Sequence, residues 1–172
     1  GTQDGLNKYN GHEVTVYRSK DDDSTSIGSN DIAVIFEDSN HNLWIGTKGG
    51  GLSLYNREQD NFTTIRELLD GPDKTKGITD HTVFSLSEDD DGNLWVGTNN
   101  GLNIKPARQD TFQHIFSDPN DPNTISDDYI ESLFKDSRGN MWVGTASGLN
   151  RYDAQTDSFH RIEEVAANDL IY

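Results

Sequence analysis

Short apolar segments alternate with turn residues along the whole chain, and the alternation is clearest between residues 130 and 162. In this region the pattern predicts a first strand at 130–134, a second at 141–145, a third at 149–152 and a fourth around 159–162. No helical periodicity interrupts it. Four short strands separated by turn residues are typical of an antiparallel sheet, so we expect one four-stranded sheet here.

The same unit recurs around each tryptophan. The block Asn-Leu-Trp-Ile-Gly-Thr at 42–47 returns as Asn-Leu-Trp-Val-Gly-Thr at 93–98 and as Asn-Met-Trp-Val-Gly-Thr at 140–145, and residues 1–2 are the tail of a fourth copy. A sheet with large side chains on both faces is not stable alone, so the units must stack. An all-β period of about 45–50 residues favours a β-propeller over a parallel β-helix, whose period is shorter.

The turn between the first and second strands has a consistent composition. An aspartate lies six residues before each tryptophan, at Asp38, Asp89 and Asp136. Aspartate at the first turn position accepts hydrogen bonds from backbone N–H groups. Gly92 and Gly139 occupy the fourth position, where a left-handed backbone is expected. His41 takes that position in the first complete copy, and we predict a positive φ for it.

The strand count predicts an all-β propeller fragment of about three complete four-stranded blades with a partial blade at each end. The predicted units are a partial blade at 1–29, blades at 30–78, 79–126 and 127–167, and the start of another blade at 168–172. This number of strands does not close a ring. We therefore expect the chain to be part of a larger propeller.

Composition and charge narrow the possible partners. Asp and Glu number 30 against 14 Lys and Arg, which gives a formal net charge of −16. Nucleic acid and anionic membrane surfaces would be repelled, whereas neutral and cationic partners fit. The chain has no Cys, so disulfides and thiolate metal sites are excluded. It shows no signal-peptide pattern and no apolar run near the ~20 residues of a membrane span, so no direct membrane insertion is expected.

Motifs for catalysis, metals or cofactors do not emerge. The five histidines lack the close spacing of metal ligands, and neither a nucleophile elbow nor a phosphate loop occurs. Asp89, Asp91 and Asn93 alternate as in a calcium loop, but the glycine falls at the fourth position instead of the sixth. Paired catalytic carboxylates stay an open alternative in so acidic a chain. We expect no catalytic residue, metal or cofactor in this segment.

The repeated residues are predicted to be structural and the variable loops to be functional. Core packing between blades is predicted for Trp44, Trp95 and Trp142, and turn formation for the three repeated aspartates. In a propeller, the turns after the second strands and the entries of the next first strands gather on one face, and function tends to lie on such loops. Candidate ligand-binding residues on that face are Gln3, Asp4, Asn30, Asp31, Lys48, Asp80, His81, Asn99, Asn100, Asp127, Asp128 and Ser147. Each of them taken singly is equally well explained as a cap of its own turn.

The units resemble two-component regulator propeller repeats, in which an acidic pair and a Gly precede the Asn-Leu-Trp-Ile-Gly-Thr block and a Gly-Leu-Asn-Arg-Tyr-Asp block follows. Residues 88–98 and 135–145 match the first block, and 148–153 match the second, whereas Lys105-Pro106 depart from it. The resemblance implies a seven-bladed propeller in the periplasmic sensor region of a hybrid two-component protein. It also implies carbohydrate sensing, phosphorelay signalling and a histidine kinase output beyond a membrane span.

Three functions are compatible with these observations. The first is a non-catalytic sensor segment that binds an oligosaccharide or another small molecule. The alternatives are a protein-docking scaffold and the propeller of a polysaccharide lyase or glycosidase. We also expect the isolated chain to form a homo-oligomer, because apolar residues of its terminal strands would be exposed. Those residues are Leu6, Tyr9, Val14 and Val16 at one end and Phe159, Ile162 and Ile171 at the other.

Overall fold

The computed structural model describes residues 2–66 and 74–162. In these ranges, fourteen strands form four antiparallel sheets, and the only helical element is one 3-10 turn at Lys74–Lys76. The strands are β1 Leu6–Tyr9, β2 Val14–Tyr17, β3 Ile32–Glu37, β4 Leu43–Thr47, β5 Gly51–Asn56, β6 Asn61–Ile65, β7 Val83–Glu88, β8 Leu94–Thr98, β9 Gly101–Lys105, β10 Gln113–Ile115, β11 Ile130–Lys135, β12 Met141–Thr145, β13 Gly148–Asp153 and β14 Ser158–Ile162.

The sheets follow chain order. Strands β1 and β2 pair as a partial blade, while β3–β6, β7–β10 and β11–β14 form blade 1, blade 2 and blade 3, each with its strands in sequence order. The predicted all-β architecture is confirmed, and the second strand of blade 3 has the predicted bounds. The predicted start of another blade at 168–172 lies outside the described residues.

The first turn of each blade is held by its aspartate. In blade 1, Asp38 Oδ1 accepts hydrogen bonds from the backbone N–H groups of Asn40 at 3.0 Å and Asn42 at 2.9 Å. Asp38 Oδ2 accepts one from the indole Nε1–H of Trp44 at 2.8 Å. His41 has a φ of 63°, which confirms the predicted left-handed backbone. The aspartate therefore forms the turn and also orients the tryptophan.

This arrangement repeats in the other two blades. Trp95 Nε1 donates to Asp89 Oδ2 at 2.9 Å, and Trp142 Nε1 donates to Asp136 Oδ2 at 3.0 Å. Hydrogen bonds from Asn140 and from the Trp142 indole hold the pKa of the Asp136 carboxyl well below its usual range. The six-residue spacing between aspartate and tryptophan thus has a direct structural reason, which the sequence pattern alone did not reveal.

The tryptophans lie between consecutive blades. Each blade has a leading face, defined as the face that packs on the next blade, and an opposite trailing face. Trp44 of blade 1 packs among Val83, Leu86 and Val96 of blade 2. Trp95 of blade 2 packs on blade 3, with its ring centroid 5.0 Å from that of Tyr152. The leading face of blade 3 has no neighbouring sheet in the described residues, and Trp142 there is half-buried.

The loops between blades contribute a buried isoleucine each, which the strand pattern did not predict. Ile27, Ile78 and Ile125 precede the first strands of blades 1, 2 and 3 and are almost fully buried. Beside two of them, buried asparagine side chains accept loop N–H groups: Asn103 accepts from Thr79 at 2.9 Å and Asn150 accepts from Ser126 at 3.0 Å. These hydrogen bonds fix the loops that lead into the inner strands.

The partial blade packs on the trailing face of blade 1, which corrects part of the predicted apolar patches. Leu6 is only 7% exposed because it packs with Ile27, Ile45 and Phe62. At the other end, Phe159 is only 4% exposed because it points toward blade 2. Both were expected to be exposed, and that expectation is wrong.

A polar cluster joins the partial blade to blade 1. Asp60 Oδ1 accepts hydrogen bonds from Tyr17 Oη at 2.6 Å, from Lys8 Nζ at 3.0 Å and from Tyr55 Oη. Asp60 has a φ of 53°, a left-handed conformation that aspartate tolerates better than most residues. The hydrogen bonds from Tyr17, Tyr55 and Lys8 lower the pKa of the Asp60 carboxyl to about 2.

The Asp60 cluster predicts a specific pH dependence. Its folded-state pKa of about 2 lies below the unfolded value of ~3.9, so its stabilising contribution is fully present above pH ~4 and is lost as the pH falls toward 2. We expect the stability difference between the parent and Asp60→Asn to shrink between pH 5 and pH 2, measured by urea unfolding at each pH. Asp22→Asn, in an exposed acidic run, is the control and should not show this trend. A difference that stays constant with pH would contradict the prediction.

Candidate ligand-binding face

In the partial blade, blade 1 and blade 2, a backbone hydrogen bond joins the second-to-third-strand turn to the entry of the next inner strand. Gly5 N–H donates to the Asn30 carbonyl at 2.9 Å, Gly51 N–H to His81 at 2.7 Å, and Gly101 N–H to Asp128 at 2.7 Å. We call the surface formed by these turns and strand entries the entry face; it comprises residues 2–5, 29–32, 48–51, 80–82, 99–101, 127–129 and 146–148. The same backbone hydrogen bond forms at three successive junctions between blades, so the turns and strand entries of the entry face are held together.

All twelve candidate residues lie on the entry face. His81 contributes its backbone carbonyl, which accepts the Gly51 N–H, and the side chains of the other eleven fall into two groups. In the first group the side chain caps a local turn or loop. Asp80 Oδ1 accepts the Thr82 N–H at 2.6 Å, Asp127 Oδ1 accepts the Tyr129 N–H at 2.9 Å, and Asp128 Oδ1 accepts the Ser117 N–H at 2.6 Å. The Tyr129 N–H and the Ser147 hydroxyl lower the pKa of Asp127. These carboxylates have a structural role whether or not they bind a ligand.

Three further candidates belong to the same group. Asn30 Oδ1 accepts the Ser19 N–H at 2.8 Å. Asp4 forms an exposed ion pair with Arg18 at 2.7 Å, and that hydrogen bond and charge lower the pKa of Asp4. Ser147 Oγ donates to Asp127 Oδ2 at 2.7 Å. Each of these side chains thereby positions a neighbouring loop.

In the second group the polar side chain has no hydrogen bond to any residue between 2 and 66 or between 74 and 162. This group consists of Gln3, Asp31, Lys48, Asn99 and Asn100, and all but Asp31 are well exposed. Their backbones are fixed: Lys48 N–H donates to the Asp31 carbonyl at 2.9 Å, and Asn99 N–H donates to Thr82 at 3.1 Å. These side chains are therefore donors and acceptors without a partner in the described residues, carried on a fixed backbone.

One feature at the edge of the entry face was missed in the sequence. Phe84 and Tyr129 lie at the entries of β7 and β11, and their ring centroids are 5.0 Å apart with an interplanar angle of 45°. Both are half-buried. The sequence does show that the copies differ at these positions, since Ala33 and Glu131 correspond to Phe84. The pairing of the two rings depends on how neighbouring blades are placed, which no single repeat shows.

Three further observations concern metal binding, cavities and membrane spans in the described part of the chain. Residues 2–66 and 74–162 contain no group of three or more His, Cys, Asp or Glu side chains placed to hold a metal ion. An open cavity of about 540 Å³ lies between the first-strand turns of blades 2 and 3, lined by Asp89, Asp90, Asp91 and Arg151 among others. Asp90 there forms an ion pair with Lys135 at 2.9 Å. Nor does any helix among the described residues have the length and hydropathy needed to cross a membrane.

The stacked four-stranded sheets and the repeated entry face define the chain as a β-propeller segment. The family model described as two component regulator propeller matches residues 26–49, 77–100 and 124–147. Each match runs from the buried loop isoleucine through the inner strand to the turn after the tryptophan strand. These three segments, which together make up less than half of the chain, are two-component regulator propeller repeats.

Two known proteins extend this similarity. Histidine kinase P4 of Formosa agariphila is 34% identical over 62 residues, which is 36% of this chain and 4% of that protein. The extracellular domain of a hybrid two component system from B. thetaiotaomicron superposes with a TM-score of 0.72 and 25% identity over 91% of this chain. This chain covers only 20% of that domain.

A second solved structure shares the fold alone. Virginiamycin B lyase from Staphylococcus aureus superposes with a TM-score of 0.57 and 12% identity, over 90% of this chain and 46% of that one. At this identity, the similarity shows that the propeller architecture is common to both and says nothing about shared chemistry.

Proposed function

We propose that this chain is a non-catalytic, ligand-binding segment of a periplasmic sensor region, and that its ligand is a carbohydrate or another small hydroxyl-rich solute. The further blades and signalling domains of a longer protein are its natural partners. The observation that supports this proposal most directly is the entry face. Its backbone is fixed at every blade junction, while Asp31, Asn99 and Asn100 present free polar groups.

The similarity to an extracellular domain supports the periplasmic location, and the repeat type supports a role in signalling. The protein charge adds a constraint on the ligand. A net charge of −16 disfavours anionic polysaccharides, so neutral or cationic sugars fit the entry face better. In a full-length sensor, a ligand that bridges several blades would change how they are held, and that change would pass to the output domain.

The proposal is tested with oligosaccharides of three charge types: neutral xylohexaose and cellohexaose, cationic chitosan hexamer, and anionic hexagalacturonate. Binding is measured by isothermal titration calorimetry, and products are analysed by chromatography. We expect binding of a neutral or cationic oligosaccharide without turnover, and weaker binding after the double substitution Asn99→Ala and Asn100→Ala. Glu58→Ala, at an exposed turn far from the entry face along blade 1, is the matched control. Turnover that survives purification, or binding of none of these sugars, would overturn the proposal.

We also infer that the isolated chain self-associates through its two end faces. The leading face of blade 3 exposes Phe134, Leu149 and Ile162, and the trailing face of the partial blade exposes Tyr9 and Val14. Contiguous apolar surface of this kind is uncommon on a monomer. In a longer protein, further blades would cover both faces.

A further inference from the structure

The aromatic pair Phe84–Tyr129 is not explained by the packing of the propeller. Each inner strand has a register irregularity just after its first residue, between Ile32 and Val34, between Val83 and Ser85, and between Ile130 and Ser132. The extra residue of such a bulge is unpaired, and its side chain is re-aimed relative to the rest of the strand. In blade 2 this residue is Phe84.

The corresponding residues of the other blades show that the fold does not need an aromatic ring there. The bulge residue is Ala33 in blade 1 and Glu131 in blade 3, and both are exposed. Tyr129 likewise corresponds to Asp31 and Thr82 in the other two inner-strand entries. The same backbone therefore forms with small, polar or charged side chains, and the two rings meet only at the junction of blades 2 and 3.

Hydrogen bonds fix the backbone that carries Tyr129. The Tyr129 N–H donates to Asp127 Oδ1 at 2.9 Å, and the Tyr129 carbonyl accepts the Ala146 N–H at 3.1 Å. The Tyr129 hydroxyl has no hydrogen-bond partner in the described part of the chain. Asn100 lies in the turn whose Gly101 bonds to the Asp128 carbonyl, immediately before Tyr129. The site thus combines two half-buried rings, a free hydroxyl and a free amide.

We propose that Phe84 and Tyr129 form the stacking platform for an uncharged pyranose unit of the ligand. Aromatic faces carry negative partial charge and attract the weakly positive C–H groups that line one side of a pyranose ring. The hydroxyls on the ring edge would then bond to the Tyr129 hydroxyl and to the Asn100 amide. The nearby Asp127, Asp128 and Glu131 carboxylates repel uronic acids and sulfated sugars. This inference rests on the proposed function, because it names the ligand-contacting residues of the same face.

The test uses the full chain with xylohexaose and cellohexaose as neutral probes. Saturation-transfer NMR should show transfer to the ring C–H protons of the bound sugar in the parent and strongly reduced transfer in Phe84→Ala. We expect Phe84→Ala and Tyr129→Ala to weaken calorimetric affinity by about tenfold or more, and Tyr129→Phe by a few fold, since it removes only the hydroxyl. Thermal melts of each variant establish that the fold is retained.

Arg108→Ala is the control, because it removes an exposed side chain from the turn after β9, at the end of blade 2 away from the entry face. It should leave the affinity and the saturation transfer unchanged. If the sugars bind the parent and the Phe84 and Tyr129 variants equally, the platform is wrong while the proposed function stands. If neither neutral sugar binds the parent, the proposed platform is wrong. The proposed function is wrong only if the cationic and anionic sugars also fail to bind.

Discussion

We expect Trp95→Ala to lower the free energy of unfolding by about 3–5 kcal/mol, as is typical when a large aromatic core site is emptied. Trp95 is 1% exposed and contacts Tyr152 and Phe159 of the next blade at ring-centroid distances of 5.0 and 6.3 Å. The substitution removes these contacts and also the indole hydrogen bond to Asp89. Urea unfolding followed by circular dichroism gives the difference.

Trp142→Ala is the matched control for this prediction. Trp142 makes the same indole hydrogen bond, to Asp136, but lies half-buried on the leading face of blade 3. The comparison therefore separates the contribution of burial between blades from that of the hydrogen bond. We expect Trp142→Ala to cost less than half as much as Trp95→Ala at a protein concentration low enough to keep the chain monomeric. A Trp95→Ala variant that melts within a degree of the parent would show that the ring is not sandwiched between blades.

The features that depend on local chemistry could be predicted from sequence. The bounds of β12 follow from the apolar run at 141–145, and the left-handed backbone of His41 follows from its alignment with Gly92 and Gly139. These properties arise within one hairpin, where strand pattern and turn chemistry suffice. Because the unit occurs three times, the same inference is supported by three copies.

The features that depend on how the blades face one another could not be predicted from the sequence. Leu6 and Phe159 have the same apolar character as exposed strand residues such as Val14, and only the placement of the neighbouring blade makes the first two buried. Ile27 appears as a single apolar residue in a polar loop, although it fills the space between two sheets. The candidate site shows the same limit. Its turns could be located from the repeat, but the contact between Phe84 and Tyr129 joins two different blades.

The self-association of the isolated chain should be heterologous, with the leading face of one copy on the trailing face of another. At the junction of blades 2 and 3, Trp95 packs against Tyr152. Trp142 occupies the position of Trp95 on blade 3, and Tyr9 occupies the position of Tyr152 on the partial blade. The two exposed end faces therefore carry the two partners of the contact that Trp95 and Tyr152 form between blades 2 and 3. Heterologous contacts that do not close generate open chains, whereas those that close generate rings.

Two single substitutions test this geometry. Phe134→Asp places a charge on the leading face, where the parent phenylalanine is 64% exposed, and Val14→Asp places one on the trailing face, where the valine is 58% exposed. Light scattering across a concentration series should show association of the parent and monomers for each variant alone. An equimolar mixture should form dimers, because each variant retains the face that the other has lost. If Val14→Asp forms dimers on its own, the contact is symmetric and joins two leading faces. If the parent stays monomeric at every concentration, the chain does not associate.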